Sequence, residues 1–401
     1  MTASLRRAAG SLLVVGLGGT ELTGMERAWL KMVRPAGIIL FKRNIADAGQ
    51  TRALLEEATG LGVECGLRCV DVEGGMVDRL RDALAPMPSA QAVARAAFSP
   101  THSQSTRMDG APGVSRKRGV SSRSQNRDLG HPMGFAKQHG ELVGRAVKAF
   151  GFNTTLAPVL DLGLPDSVEV IGTRAAGATA AGVVEYARGF LGGVAGQGVV
   201  GCGKHFPGLG GGTRDSHLET PAILRSAGEL WREDLAPYRQ LRDELPMVMV
   251  SHAAYPNTPG KMRPASVSRY WITTVLRKRI GYKGIVFSDD LEMGGILKFM
   301  PIEEAVIEAL HAGMELMEIC HSPELIVRAY EALIAEGERS KAFRELLAAR
   351  AKRATRLRAK LFADGVSQAL SKKEIEALRT RILRFGERIA QAQPGAEAGT
   401  R

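Results

Sequence analysis

The sequence predicts an α/β fold, a single (β/α)8 TIM-type barrel with a basic flexible insertion and C-terminal helices. Eight short apolar runs alternate with stretches of helical periodicity, a pattern typical of parallel strands buried on both faces. Most of these runs end in a charged residue or a histidine, as expected where barrel strands converge on one polar face. An open doubly wound sheet shares the alternation, but eight repeats favour a closed barrel.

The predicted elements follow one another along the chain. Strands are predicted at 11–17, 36–41, 67–71, 156–160, 199–205, 247–252, 284–289 and 314–320. Helices are predicted between them, among others at 23–33, 140–150, 180–195, 228–241, 268–280 and 302–312. The polar side chains at the strand ends are Asp71, Asp161, Lys204, His205, His252, Asp289, Asp290 and His321. Together they predict a polar pocket at one end of the barrel.

The length and composition fit one large α/β domain or two ordinary ones, and two segments stand outside the strand and helix alternation. The 401 residues are 44% hydrophobic, and Lys plus Arg exceed Asp plus Glu by 12. The stretch 99–133 is rich in Ser, Gly and Arg and contains Arg116, Lys117 and Arg118, so we predict a disordered, solvated insertion and not a nucleic-acid arm. We expect a barrel over 1–340 and an extension over 341–401, with charged helices at 342–360 and 372–392 and a frayed tail.

The cysteines and the hydropathy of the chain indicate the cellular compartment in which the protein is expected. Cys65, Cys69, Cys202 and Cys320 are spread along the chain without the spacing of a zinc site or a disulfide framework, so we expect reduced thiols in a cytoplasmic protein. The apolar run near the start is short and lacks a cleavage pattern, which favours a first strand over a secretory signal. No segment approaches the ~20 apolar residues of a membrane span.

The densest group of reactive side chains follows the fifth predicted strand. Lys204 and His205 end the strand, glycines follow at 208–212, and Asp215 and His217 come next. A glycine-rich loop can cross the barrel mouth, and Asp215 could orient the His217 imidazole for proton transfer. An Asx turn beside an exposed histidine is the alternative, and it is the commoner arrangement for such a pair alone. Neither this loop nor 16–21 has the spacing of a nucleotide-binding loop.

Two further strand ends carry acids. Asp289 and Asp290 could supply a nucleophile, a metal ligand or a helix cap, and capping suits Asp290. We expect no metal there because no other Asp, Glu or His lies nearby in the chain at ligand spacing. Asp71 and Arg79 could together bind vicinal hydroxyls, or could form a surface salt bridge.

In combination these residues resemble a known family. The motifs, in chain order, are IILFKRN at 38–44, DVEGGMVDR at 71–79, APVLD at 157–161, VIGTR at 170–174, KHFP at 204–207 with DSH at 215–217, SHAAYP at 251–256 and FSDDLEM at 287–293. This series resembles that of the β-N-acetylglucosaminidases of glycoside hydrolase family 3. The resemblance runs from about residue 10 to about residue 335.

The resemblance implies a role for each matching residue. Asp289 matches a nucleophile that forms a covalent glycosyl-enzyme, and His217 with Asp215 matches an acid/base pair. The N-acetylglucosamine unit would be held by Asp71, Arg79, Arg174, Lys204 and His205. The implied reaction is retaining hydrolysis of β-linked N-acetylglucosamine from muropeptides or their disaccharide in cytoplasmic cell-wall recycling, without metal or cofactor.

The sequence departs from the family pattern at two places. Leu209 stands where the family usually has a second histidine, and Ala175 and Ala176 stand where it often has Ser-Phe. We expect a monomer without nucleic-acid or membrane partners. The alternatives are a phosphorylase or a β-glucosidase of the same family, and an inactive barrel that binds carbohydrate or nucleic acid.

Overall fold

The computed structural model describes residues 2–63, 66–97, 132–212, 220–362 and 368–393. Its strands are β1 (Leu13–Gly16), β2 (Gly37–Leu40), β3 (Leu67–Val70), β4 (Val72–Gly74), β5 (Val77–Asp78), β6 (Thr154–Thr155), β7 (Val200–Phe206), β8 (Met247–Val250), β9 (Ile285–Asp290) and β10 (Leu316–Ile319). Strands β4 and β5 form an antiparallel hairpin, and the other eight close into a parallel barrel in the order β1-β10-β9-β8-β7-β6-β3-β2. The predicted (β/α)8 barrel is confirmed.

Helices surround the barrel and continue past its last strand. They are α1 (Thr2–Gly10), α2 (Gly24–Val33), α3 (Ala48–Gly60), α4 (Ala90–Ala97), α5 (Pro132–Ala149), α6 (Ala180–Ala195), α7 (Ala227–Arg232), α8 (Ala236–Gln240), α9 (Gly294–Leu297), α10 (Ile302–Ala312), α11 (Pro323–Arg339), α12 (Lys341–Leu361), α13 (Lys372–Gln391) and a π-type helix at Tyr270–Arg279. Among the described residues, no helix has the length and apolarity needed to cross a membrane.

The apolar runs are buried because each strand has two covered faces. Every residue of β1, β2, β8 and β10 is buried, with one face toward the barrel interior and the other toward the helices. The C-terminal helices also pack on this body: α12 contacts α1, α10 and α11, and α13 contacts α4 and α5. The buried carboxylate of Glu315, just before β10, links α12 to the barrel. It accepts from Arg277 of the π-type helix at 2.7 Å and from Arg353 of α12 at 2.8 Å.

Several predicted boundaries were wrong. The fourth strand is Thr154–Thr155, and the predicted run 156–160 forms only a single parallel bridge, Val159 to Lys204. One reason is that Pro158 has no amide hydrogen to give to a ladder. The predicted helix 228–241 is two helices, α7 and α8, and α5 begins at Pro132, inside the segment predicted to be disordered. Residues 99–131 of the predicted insertion and 394–401 of the predicted tail lie outside the described residues.

An acid between α7 and α8 supports the loop that follows β7. Asp234 is 1% exposed, and the Arg225 guanidinium lies 3.2 Å from its carboxylate. A β-carbon placed on Gly208, where the loop leaves the strand with φ 138°, would lie 2.8 Å from the Asp234 Cβ. Burial raises the pKa of Asp234 from 3.8 to about 7, because the attraction of Arg225 only partly offsets it.

This acid predicts a pH-dependent loss of stability. A folded-state pKa above the unfolded value means that the contribution of Asp234 to folding is greatest below about pH 4 and is lost as the pH rises through about 7. We therefore expect wild type to lose about 1–3 kcal/mol more stability than Asp234→Asn between about pH 5 and about pH 8, measured by denaturant unfolding. The exposed Asp243→Asn is the matched control. Parallel pH dependence in wild type and Asp234→Asn would contradict the assignment.

Candidate active site

A cavity of about 470 Å³ opens at the carboxyl ends of the barrel strands. Six residues that the sequence predicted for the site line it: Asp71, Arg79, Arg174, Lys204, His205 and Asp289. The other two, Asp215 and His217, lie outside the described residues. The cavity volume is in the range of small-molecule sites.

A buried ammonium group organises the floor of the cavity. Lys204 is 3% exposed, and its Nζ donates to Asp71 Oδ1 at 2.7 Å and lies 2.7 Å from Glu73 Oε1. Burial alone would lower the pKa of Lys204, but the two carboxylates raise it above its ordinary value. Lys204 is therefore a permanent cation that fixes both acids.

Glu73 extends this network to a second cation. Arg174 Nε and Nη2 each donate to the Glu73 carboxylate at 2.8 Å, in a bidentate pair. Burial would raise the pKa of Glu73, but Arg174 and Lys204 hold it well below its usual range. The sequence interpretation missed Glu73, although its position two residues after Asp71 in an extended hairpin was an available signal.

Asp161 holds the next side chain and the start of the glycine-rich loop. Its Oδ2 accepts from His205 Nδ1 at 2.6 Å, and its Oδ1 accepts from the Leu209 backbone at 2.7 Å. Arg174 Nη2 lies 3.3 Å from His205 Nε2, so the imidazole lies between the Asp161 carboxylate and the Arg174 guanidinium. Leu209 thus anchors the loop through its backbone, and the loop start does not depend on the histidine usual there in the family.

Arg79 also lines the cavity, and its contacts with other protein groups are long. Its Nη2 lies 3.9 Å from Asp71 Oδ2, and its guanidinium is 5.7 Å from the centre of the Phe41 ring. Within the described part of the chain its buried Nε has no hydrogen-bond partner. Arg79 therefore has donors available for a ligand in the cavity.

Asp289 is the penultimate residue of β9, and it lines the cavity wall. Burial would raise its pKa, but His205, His252 and Lys204 bring it below the ordinary value, so the group is ionised at neutral pH. His252 was predicted only as the polar end of a strand. Its Nδ1 accepts a hydrogen bond from the Ser266 hydroxyl at 2.7 Å, and its Nε2 donates one to the Asp290 carbonyl at 2.9 Å. It thus fixes the backbone immediately after the candidate nucleophile.

Asp215 and His217 belong to the segment 213–219, and described residues on both sides of that segment lie near the mouth of the barrel. On one side Leu209 lines the cavity. On the other, Thr220 Oγ1 donates to the Gly295 carbonyl at 2.6 Å, just beyond β9.

Glu318 is a further carboxyl group that the sequence interpretation missed. It lies in β10 among apolar residues, is 3% exposed and lines the same cavity. Burial, with the nearby Asp290, raises its pKa well above the usual range, which favours the protonated form of the group. A glutamate inside an apolar strand was the signal available for it.

Comparison with known proteins relates this site to a family. The model described as glycosyl hydrolase family 3 N terminal domain matches residues 4–357. A beta-hexosaminidase of Alkalilimnicola ehrlichii is 37% identical over 315 residues, which cover 78% of this chain and 82% of the relative. A beta-hexosaminidase of Haemophilus ducreyi is 32% identical over 324 residues, which cover 80% of this chain and 85% of the relative.

Solved structures agree with this relationship. NagZ from Neisseria gonorrhoeae in complex with N-trifluoroacetyl-D-glucosamine has a TM-score of 0.71 at 25% identity and covers 96% of this chain and 98% of its own. Because the family model matches most of the residues and the sequence relatives exceed 30% identity over most of both chains, the chain belongs to glycosyl hydrolase family 3 and is a glycoside hydrolase.

Proposed function

We propose that the protein is a retaining β-N-acetylglucosaminidase that releases terminal β-linked N-acetylglucosamine from peptidoglycan-derived muropeptides. The observation that carries the proposal is an ionised Asp289 facing a cavity walled by Asp71, Lys204 and Arg174. The named activity of the β-hexosaminidase relatives and the glucosamine derivative bound to NagZ support the sugar. The muropeptide rests on the resemblance of the motif series.

The cavity chemistry supports a neutral, hydroxyl-rich ligand. A sugar hydroxyl both donates and accepts hydrogen bonds, and the cavity offers donors on Arg79 and Lys204 beside the acceptors of Asp71 and Asp289. Cations and carboxylates are close to balanced there, because Lys204 and Arg174 are already paired with acids. This arrangement favours an uncharged sugar ring over a phosphate group.

In the proposed mechanism the Asp289 carboxylate attacks the anomeric carbon while His217, oriented by Asp215, protonates the departing glycosidic oxygen. The glycosyl ester on Asp289 is then hydrolysed: water attacks the anomeric carbon, His217 accepts its proton, and the carboxylate is regenerated. Asp71, Arg79, Arg174, Lys204 and His205 hold the N-acetylglucosamine ring. Residues 1–340 form the catalytic unit in this proposal, with 341–401 as an extension.

Removing the nucleophile tests the first step. Asp289→Ala is expected to reduce kcat by at least about a thousandfold on an aryl N-acetylglucosaminide and on the disaccharide N-acetylglucosaminyl-anhydro-N-acetylmuramic acid, because no covalent step remains. The measurement is release of N-acetylglucosamine, with unfolding curves to check the fold. The exposed Asp243→Ala is the control. Activity of Asp289→Ala within tenfold of wild type would exclude the assignment.

Removing the proton donor should affect substrates unequally. His217→Ala is expected to lose about 10²–10⁴ in kcat on the disaccharide, whose leaving oxygen must be protonated, and much less on an activated aryl glycoside. The measurement compares the two substrates at one pH. Equal losses on both substrates would argue against proton transfer by His217.

The same assays separate the alternative activities. Adding inorganic phosphate would yield a sugar 1-phosphate from a phosphorylase, whereas a hydrolase yields free N-acetylglucosamine in either case. An aryl glucoside turned over as fast as the N-acetylglucosaminide would favour a β-glucosidase. An absence of turnover on all these substrates would leave only a binding function.

A further inference from the structure

Three side chains with different donor atoms meet beside the sugar cavity. Asp290 ends β9, and Cys320 and His321 follow β10, the neighbouring strand of the barrel. One carboxylate oxygen, the thiol sulfur and one imidazole nitrogen all lie within 4.8 Å of one another. Asp290 Oδ2 and His321 Nδ1 are 3.3 Å apart. Cys320 and His321 lie about 30 residues after Asp290 in the chain, so sequence spacing does not indicate this group.

The backbone that carries two of these groups is held in place. The Glu292 carboxylate accepts from the backbone amides of Cys320 at 2.8 Å and Ser322 at 2.7 Å, and also from that of His321. The Glu292 backbone in turn donates to Asp290 Oδ1 at 3.0 Å. Because Glu292 is committed to these amides, its role is to fix the positions of the three donor groups.

Glu318 provides a second, independent observation. Its Oε1 lies 2.9 Å from the Cys320 sulfur, and the side chain is 3% exposed. Among the residues that the structure covers, no group hydrogen-bonds its buried Oε2. A buried carboxyl oxygen without a partner is costly, and it indicates that this corner of the cavity is built for a further ligand.

We propose that Asp290, Cys320 and His321 bind a divalent transition metal ion of the zinc class. A thiolate, an imidazole and a carboxylate form a set typical of zinc, whereas calcium and magnesium prefer oxygen alone. Tetrahedral bonds of 2.0–2.3 Å place ligand atoms roughly 3.3–3.8 Å apart, so the widest separation here must shrink by about 1 Å. His321 has half of its side chain exposed, and its movement toward the ion would give up a 3.3 Å contact between its Nδ1 and Glu292 Oε2. On binding, the Cys320 thiol proton passes to the solvent.

The ion would lie on the wall of the sugar cavity. Asp290, Glu318 and His321 all line that cavity, and Asp290 is adjacent to Asp289. A bound ion would place positive charge beside the Asp289 nucleophile and would coordinate the adjacent Asp290. We therefore expect the metal to inhibit turnover. The inhibition rests on the proposed function, whereas binding of the metal does not.

Cobalt(II) provides a readout that needs no catalysis. The chelator-treated full chain is titrated with Co²⁺, and coordination by Cys320 is expected to give a sulfur-to-cobalt charge-transfer band in the near ultraviolet. Cys320→Ser should abolish this band. His321→Asn, an exposed position that does not threaten folding, should weaken the affinity by about tenfold or more. His311→Asn on the outside of α10 is the matched control and should bind as wild type does.

Four outcomes decide between the metal site and its alternatives. His217→Ala should keep the band, since loss of the band would place the ion at the proposed acid/base pair and overturn the site. A band that survives in Cys320→Ser, or no band in wild type, would also overturn it. A chain that binds cobalt as expected but releases no N-acetylglucosamine would retain the metal site and reject the proposed function. Zinc inhibition that is equally strong in wild type and His321→Asn would contradict the inhibitory role.

Discussion

The buried ammonium group of Lys204 is the interaction on which the arrangement of the site depends. Taking such a charge out of water costs several kcal/mol unless it is paired, and here two carboxylates bond it at 2.7 Å each. Those carboxylates come from the end of β3 and from the hairpin after it, and Glu73 then binds Arg174 from the loop after β6. One cation thus fixes three strand ends around the cavity, and the Asp289 carboxylate is ionised partly because Lys204 is near.

The fold and half of the site could be predicted because they depend on local patterns. Strands with two covered faces must be apolar throughout, so the barrel strands were visible as short apolar runs. The strand ends of a parallel barrel converge, so Asp71, Lys204 and Asp289 could be expected in one place. The fourth strand was misplaced because residues around Pro158 are buried and apolar without forming a regular ladder.

The rest of the site could not be predicted because it consists of pairings between distant residues. Glu73 and Arg174 are 101 positions apart, and Asp161 and His205 are 44 apart. Nothing in the periodicity of either segment specifies which acid meets which cation. The same limit applied to Asp290, since the register of β9 with β10 alone brings Cys320 and His321 beside it. Buried acids in apolar strands, such as Glu318, are visible in a sequence, but their partners are not.

The central claim is that Asp289 carries the sugar during turnover, and trapping the intermediate tests it most directly. A 5-fluoro-N-acetylglucosaminyl fluoride forms the glycosyl ester readily and releases it slowly, so the labelled enzyme can be digested and sequenced by mass spectrometry. One added sugar is expected on Asp289, in the peptide that contains β9. A label on Asp290 or any other residue, or turnover of the probe without a trapped adduct, would contradict it.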